Sequence, residues 1–282
     1  MSVITFINRD RKENGQTFSV AAIATCMAIE HNYKILLIST DFDDRSMEEC
    51  FYKKQNKGMF SNRFAKQGSL DISCGFVGLI RMFASNRAEP DIIKSYTKPI
   101  LTDRLDLLLP PKTKDYKEYK NVSVYFSQIA DVANHAYDMV LIDLSKDVPL
   151  ENQKKVMDLS SLVVVSLIQN QNSISAFEML KNQDEFYRKS NVALAVGKYN
   201  NDSKFTAKNI GRYLKEKNIP LVIPYNILFA DNCSEGKIID YFLSIQGLER
   251  TDGKDGYFLS ELRKTVDKID YLRQAYEYGL KN

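Results

Sequence analysis

Short apolar runs alternate with helical patterns along the whole chain. Residues 3–7 read as a first strand. Residues 17–29 are Ala-rich, with Val20, Ile23, Ala24, Met27 and Ala28 along one side, the spacing of an amphipathic helix. Residues 34–39 (KILLIS) then form an apolar run of the kind a strand buried on both faces requires. The same reading predicts strands at 105–109, 139–144, 162–168, 192–196 and 221–223. It predicts helices at 124–136, 174–187, 205–217, 234–243 and 257–278. Strands that alternate with helices need crossover connections. The expected fold class is therefore α/β, a single doubly wound, mainly parallel sheet with helices on both faces. No Gly/Ser/Pro-rich linker or repeat interrupts the pattern. Residues 1–282 read as one domain with the helix at 257–278 packed on it. The stretch 51–70 is less regular, carries five basic residues and no acid, and reads as a surface excursion.

Composition narrows the class only a little. With 282 residues, 44% hydrophobic and 27% charged, the chain is long enough to bury a core without staples. A net charge of +3 does not by itself argue for nucleic acid or membrane. Cys26, Cys50, Cys74 and Cys233 are widely spaced and form no C-x-x-C, so no disulfide or zinc framework is expected. The two histidines, His31 and His135, read as helix-end residues, and Cys26 as a small core residue. No apolar run approaches the ~18 residues of a membrane span. The first residues lack the basic-then-apolar layout of a secretory signal. The expectation is a soluble cytoplasmic protein without stable membrane insertion.

The candidate chemistry lies at strand ends, where open α/β sheets bind ligands. After the first strand the chain reads Asn8-Arg9-Asp10-Arg11-Lys12-Glu13-Asn14-Gly15-Gln16-Thr17, and the helix begins. Strand, loop and helix N-terminus is the layout of a phosphate-binding loop. Gly15 and Thr17 fit G-x-x-x-x-G-K-[ST], but Gln16 stands where the lysine belongs. An ordinary connection in which Asn14 or Thr17 caps the helix reads the same segment equally simply. Further on, residues 35–38 run into Ser39-Thr40-Asp41-Phe42-Asp43-Asp44, and residues 137–143 form a strand ending in Asp143, the layout of a Walker B carboxylate. Two strand-end carboxylates and a hydroxyl beside phosphates are a donor set that suits Mg2+.

With these segments in place the chain resembles the deviant-Walker ATPases of the ParA/MinD group, a P-loop NTPase-like family, over nearly its whole length. Among them it is nearest to the pilus-associated TadZ/CpaE-like members. The start is similar to the pattern strand, K-G-G-x-G-K-T-T, helix, strand with D-x-D. Residues 137–143 are similar to the Y-D-x-x-x-x-D strand, and Leu162-Val163-Val164-Val165 with Gln169 to Ile174 to a later strand and helix. The late Ile223-Pro224-Tyr225-Asn226 and Glu235-Gly236-Lys237 resemble I-P-Y-[DN]…E-G-[KR] and form the most distinctive match. The resemblance implies ATP and Mg2+, with cofactor contacts from Arg11, Lys12, Glu13, Asn14, Gly15, Gln16, Thr17, Phe18, Pro224 and Asn226. It implies metal ligation by Thr17, Asp41 and Asp143, the two carboxylates also serving catalysis. The departures are specific. Arg11 falls on the signature lysine, Lys12-Glu13 on two glycines, Gln16 on the Walker lysine, Phe18 on the second Thr and Ser39 on the first Asp of D-x-D. Gly197 falls on the Asn of an N-R pair that contacts adenine. A degenerate site with slow or absent hydrolysis follows, because a lost charged hydrogen bond to phosphate weakens binding roughly 10–100-fold. The resemblance further implies a homodimer, in which Arg11 reaches across to the partner's nucleotide, and a task in localising a pilus or secretion machine. An active partitioning ATPase on DNA and an interaction module without nucleotide are the alternatives.

Three faces carry two readings each. Lys204, Lys208, Arg212 and Lys215 make a basic stripe on the helix at 205–217, either a DNA footprint or a solvated face. Lys53, Lys54, Lys57, Arg63 and Lys66 are interleaved with Phe51, Tyr52, Phe60 and Phe64, which suits base stacking or local core. Leu259, Leu262, Val266, Ile269, Leu272 and Tyr276 give the last helix an apolar stripe. Its polar face mixes Glu261, Asp267, Asp270 and Glu277 with lysines, favouring packing on protein over anionic lipid.

Overall fold

The computed structural model describes residues 2–9, 15–53, 75–84 and 90–279. Among them eight strands form one sheet: β1 (Ser2–Asn8), β2 (Ile35–Ser39), β3 (Lys98–Leu101), β4 (Leu105–Leu108), β5 (Met139–Leu144), β6 (Leu162–Leu167), β7 (Val192–Tyr199) and β8 (Leu221–Pro224). Their spatial order is β3-β4-β2-β5-β1-β6-β7-β8, and every pairing except β3 with β4 is parallel. The expected doubly wound parallel sheet is present.

Two apolar layers follow from the period of two along each strand. Ile4 and Phe6 face one layer, which holds α1 (Gln16–Glu30), α2 (Ser46–Phe51), α9 (Ile227–Ser234), α10 (Ile238–Ile245) and α11 (Gly253–Glu277). Val3 and Ile7 face the other, which holds α3 (Phe76–Ala84), α4 (Tyr116–Ser123), α5 (Phe126–Ala136), α6 (Leu150–Leu159), α7 (Gln171–Gln183) and α8 (Ala207–Tyr213). Thr5 breaks the apolar alternation at no cost in unpaired groups. Its hydroxyl meets Ser160 Oγ at 2.7 Å, and Ser160 donates onward to the Val156 carbonyl.

From β1 the chain crosses to β2 on one side, and from β5 it returns past β1 to β6 on the other. Such a divergence is where open α/β sheets form their ligand crevice, here at the carboxyl end of β1 beside the ends of β5 and β2. At the far edge, α11 covers β8. Thr265 Oγ1 donates to the Val222 carbonyl at 2.7 Å and accepts from the Val222 amide at 3.2 Å, so the edge strand is satisfied by a side chain. Buried Arg273 ties α11 back to β1 and to the helix-end Tyr33, donating to Ser2 Oγ at 2.9 Å, Tyr33 Oη at 3.1 Å and Asp270 Oδ1 at 2.7 Å. Of the apolar stripe of α11, Leu259, Leu262, Val266, Ile269 and Leu272 are buried against protein, while Tyr276 is exposed.

Several expected boundaries move. The helix expected at 234–243 is α10, which starts four residues later, after Glu235-Gly236-Lys237; α9 before it ends at Ser234 and is not among the expected elements. Gly236 has φ +68, and a Cβ there would lie 2.5 Å from the Lys53 amide nitrogen and the Tyr52 carbonyl carbon. The helix expected at 205–217 is only α8. Lys204 precedes it, and Lys215 follows it with φ +54. The four basic residues therefore do not share one helix; Lys208 and Arg212 do. The 51–70 excursion lies outside the described residues except at its start. Phe51 is core, at the end of α2, and the Tyr52 ring carries Lys98 Nζ 4.6 Å from its centroid.

Candidate functional site

The three strands at the crevice place their ends in register. Asp143 sits opposite Phe6 of β1 and opposite Ser39 of β2. Thr40 locks the last step. Its amide donates to the Asp143 carbonyl at 3.2 Å, its hydroxyl donates there at 3.0 Å, and the same hydroxyl accepts from the Ser145 amide at 2.9 Å. The Tyr119 hydroxyl donates to the Thr40 carbonyl. These bonds leave Asp41 and Asp143 side by side at the floor of the crevice.

Both carboxyls are held away from their ordinary ionisation. Burial pushes Asp143 up, opposed by hydrogen bonding from Gln16 and Thr17. Asp41 rises from 3.8 to about 7, first through burial and then through the neighbouring Asp143 charge. Ser39 Oγ donates to Asp41 Oδ2 at 3.4 Å, which offsets part of the rise. Asp143 Oδ2 is buried, and no hydrogen bond of ordinary geometry reaches it from the described residues. An orphaned carboxylate oxygen beside a second carboxyl and the Thr17 hydroxyl fits a hard divalent cation. Among the described residues, no three His, Cys, Asp or Glu side chains gather to hold an ion alone. Any metal here would need oxygens from a ligand or water as well.

Gln16 is the first residue of α1 and is buried. Its Nε2 donates to the Phe6 carbonyl at 3.2 Å and to Asp143 Oδ1 at 2.6 Å. The amide at the position expected for a Walker lysine is thus turned inward, onto the strand-end acid. Gly15 opens α1 with φ +76, a left-handed conformation that suits glycine. No acid stands in the first turn of α1, and among the described residues no side chain caps it. Its amide end therefore stays electropositive. Thr17 is half-buried beside Asp143, and Phe18 packs into the core of its layer. Arg11, Lys12, Glu13 and Asn14 lie outside the described residues.

Pro224 and Asn226 come to the same end of the sheet, at the tip of β8. Pro224 is buried. Asn226 caps α9 by accepting from the Phe229 amide at 2.8 Å, and its Nδ2 donates to Asp255 Oδ1 at 2.7 Å. Both ends of that amide are occupied by the fold. Tyr225, Ile227 and Leu228 beside it are exposed.

One residue at this end escaped the reading of motifs. Lys198, near the end of β7, has φ +49 and an exposed side chain. A Cβ on Gly15 would lie 2.9 Å from Lys198 Cε and 3.2 Å from its Cγ, so the lysine stem lies across the loop glycine. The signal was its place after Gly197, the position matched to an N-R pair. Arg9, by contrast, is turned away; its guanidinium donates to Tyr187 Oη at 2.8 Å and Gln153 Oε1 at 2.7 Å.

The fold has counterparts in solved structures. A ParA family ATPase from Chlorobium tepidum TLS superposes with a TM-score of 0.65, at 16% identity over 96% of this chain and 98% of that one. The fold is that of ParA/MinD ATPases. A putative plasmid partition protein from Borrelia burgdorferi B31, bound to AMPPNP, gives 0.59 at 17% identity over 96% and 98% of the two chains. The septum site-determining protein MinD from Pyrococcus horikoshii OT3, complexed with Mg-ADP, gives 0.63 at 11% identity over 96% and 98%. No protein-family model and no curated protein matches the sequence.

Two cavities, of about 660 and 670 Å3, lie away from these acids, along β7, β8 and α11. Lys208, Lys217, Arg250, Lys264 and Lys268 line the second.

Proposed function

We propose that this ParA/MinD-like chain carries a degenerate nucleotide site and acts in spatial organisation within a bacterial cell, as a TadZ/CpaE-like localisation factor for a pilus or secretion machine. The observation that carries the reading is Gln16. A Walker lysine would bring a full charge to the β- and γ-phosphates, whereas this neutral amide is committed to Phe6 and Asp143. Thr17, Asp41 and Asp143 would hold Mg2+ with ATP, directly or through water. The ion would neutralise phosphate charge. Gly15 to Phe18 would cradle phosphate with backbone amides, and Arg11 of a homodimer partner would approach from the opposite face. Asp41 must lose its proton to ligate metal, so binding strengthens as pH rises through about 7. Turnover should stay far below ~1 s⁻¹, the low end of ordinary enzyme rates.

Calorimetry on nucleotide-stripped protein tests the site. The expectation is weak Mg2+-dependent ATP binding that Asp143→Ala and Thr17→Ala abolish. Tight binding that survives both substitutions would place the site elsewhere. A fluorescent fusion tests the task, with a focal or polar position expected and one that persists in Gln16→Lys. The lysine and arginine side chains along the second cavity favour one further reading, a partitioning protein on DNA. A duplex-binding salt titration decides between them. A log–log slope near −0.9 per neutralised phosphate with submicromolar affinity, together with nucleoid-wide localisation, would favour DNA.

A further inference from the structure

We propose that Lys198 supplies the phosphate-facing charge that Gln16 lacks, reaching the loop from β7 rather than from α1. The inference rests on the nucleotide-site reading above and assigns a residue to it. Three observations converge on the position. The Lys198 stem lies against Gly15, with Cε, Cγ and Cδ at 2.9, 3.2 and 3.5 Å from the point where a Cβ would stand. Its ammonium is exposed, and no carboxylate among the described residues pairs with it. Its backbone is left-handed at φ +49, a conformation that crowds the Cβ of any residue but glycine. An extended backbone would aim the side chain elsewhere.

The surroundings need such a cation. The α1 amide end carries no acid in its first turn, while the crevice floor carries Asp41 and Asp143. Among the described residues at the carboxyl ends of β1, β2 and β5, an entering anion would meet Asp41, Asp143 and the neutral Gln16. Asp143 Oδ2 is buried and has no hydrogen-bond partner of ordinary geometry among the described residues. Arg9 cannot turn in, because Tyr187 and Gln153 hold it on the other layer. Lys198 stands where it can neutralise phosphate at the mouth. A flexible stem and a point charge tolerate the altered loop better than a fixed fork would.

The test is fluorescence titration of the full chain with a fluorescent ATP analogue and Mg2+, with adenosine as an uncharged competitor. Lys198→Ala should weaken binding of the analogue about 10–100-fold, the loss expected for one charged hydrogen bond. Adenosine competition should be unchanged, and Lys198→Arg should restore most of the affinity. The salt dependence of analogue binding should also fall in Lys198→Ala. Melting temperature without nucleotide serves as the control that the variant folds. If wild type binds the analogue and Lys198→Ala binds it equally, this assignment fails while the nucleotide site stands. If Lys198→Ala binds more tightly, the lysine is an obstruction and the assignment fails again. If wild type binds no analogue at millimolar concentration, the nucleotide reading falls and the assignment with it.

Discussion

Asp41→Asn should stabilise the free protein, and increasingly so as pH rises. The wild-type carboxyl keeps its proton to about pH 7 in the folded chain, against 3.8 for the ordinary group. Between those values the folded chain holds a proton that the unfolded chain has released. Stability therefore falls with pH across that window. The favourable contribution of the raised group is whole below 3.8 and gone above about 7. Each pH unit across the window costs about 1.4 kcal/mol, which caps the loss at about 4 kcal/mol at pH 8, of which roughly a third has accrued by pH 5. Asparagine keeps the shape, can still accept from Ser39, and never ionises. The stabilisation by Asp41→Asn should be about 2.7 kcal/mol larger at pH 8 than at pH 5, or about 5–11 °C in Tm for a chain of this size. Thermal melts of both proteins in EDTA, at pH 5 and pH 8, measure the difference directly. An Asn-minus-wild-type difference that is equal at the two pH values would refute the buried-acid account. The same substitution should abolish Mg2+-dependent nucleotide binding, so stability and binding move in opposite directions.

Gly236→Ala should destabilise by about 2–5 kcal/mol, combining left-handed strain with a collision against backbone, and denaturant unfolding with unchanged m-value would show it. In a Cys74→Ser background, the remaining thiols should react with an aromatic disulfide reagent only on unfolding, because burial pushes Cys26 up to about 12, and contact with Cys233 together with burial pushes Cys50 up; fast reaction of the native chain would contradict that burial. Thr265→Val should cost about 1–3 kcal/mol by leaving a Val222 peptide group unsatisfied at the covered sheet edge, and hydrogen exchange at the Val222 amide should accelerate.

Periodicity made the sheet legible because each central strand is a nearly unbroken apolar run with one stacking solution. Residues 139–144 were read to the residue as β5 for this reason. The elements that escaped lack that signal. The edge strand β3 is Lys98-Pro99-Ile100-Leu101, short, with its first two residues exposed, and antiparallel, and its pairing with β4 is fixed only by tertiary contact. The helix α6 begins at Leu150 after Pro149 and carries Glu151, Lys154, Lys155 and Asp158, so its short apolar face is hard to distinguish from a loop. At the site, the identities of Gln16, Asp41 and Asp143 could be read from strand ends. Their mutual geometry could not. That Gln16 turns inward to Asp143, and that Lys198 crosses Gly15 from a strand far along the chain, depend on the sheet order alone.

The E-G-K segment shows how a motif can serve shape first. Glu235 and Lys237 pair with each other at the surface, where an exposed ion pair contributes little. Gly236 between them is where the chain between α9 and α10 passes the backbone of Tyr52 and Lys53 at the end of α2. The helix α2 follows the Asp41 loop directly, and α9 follows the Pro224–Asn226 tip. The glycine therefore sets the segment between α9 and α10 against the end of α2, the helix that follows the Asp41 loop. Asn226 does the same on its own side, capping α9 and holding Asp255 of α11. Both contacts fix the backbone of loops that follow strand ends.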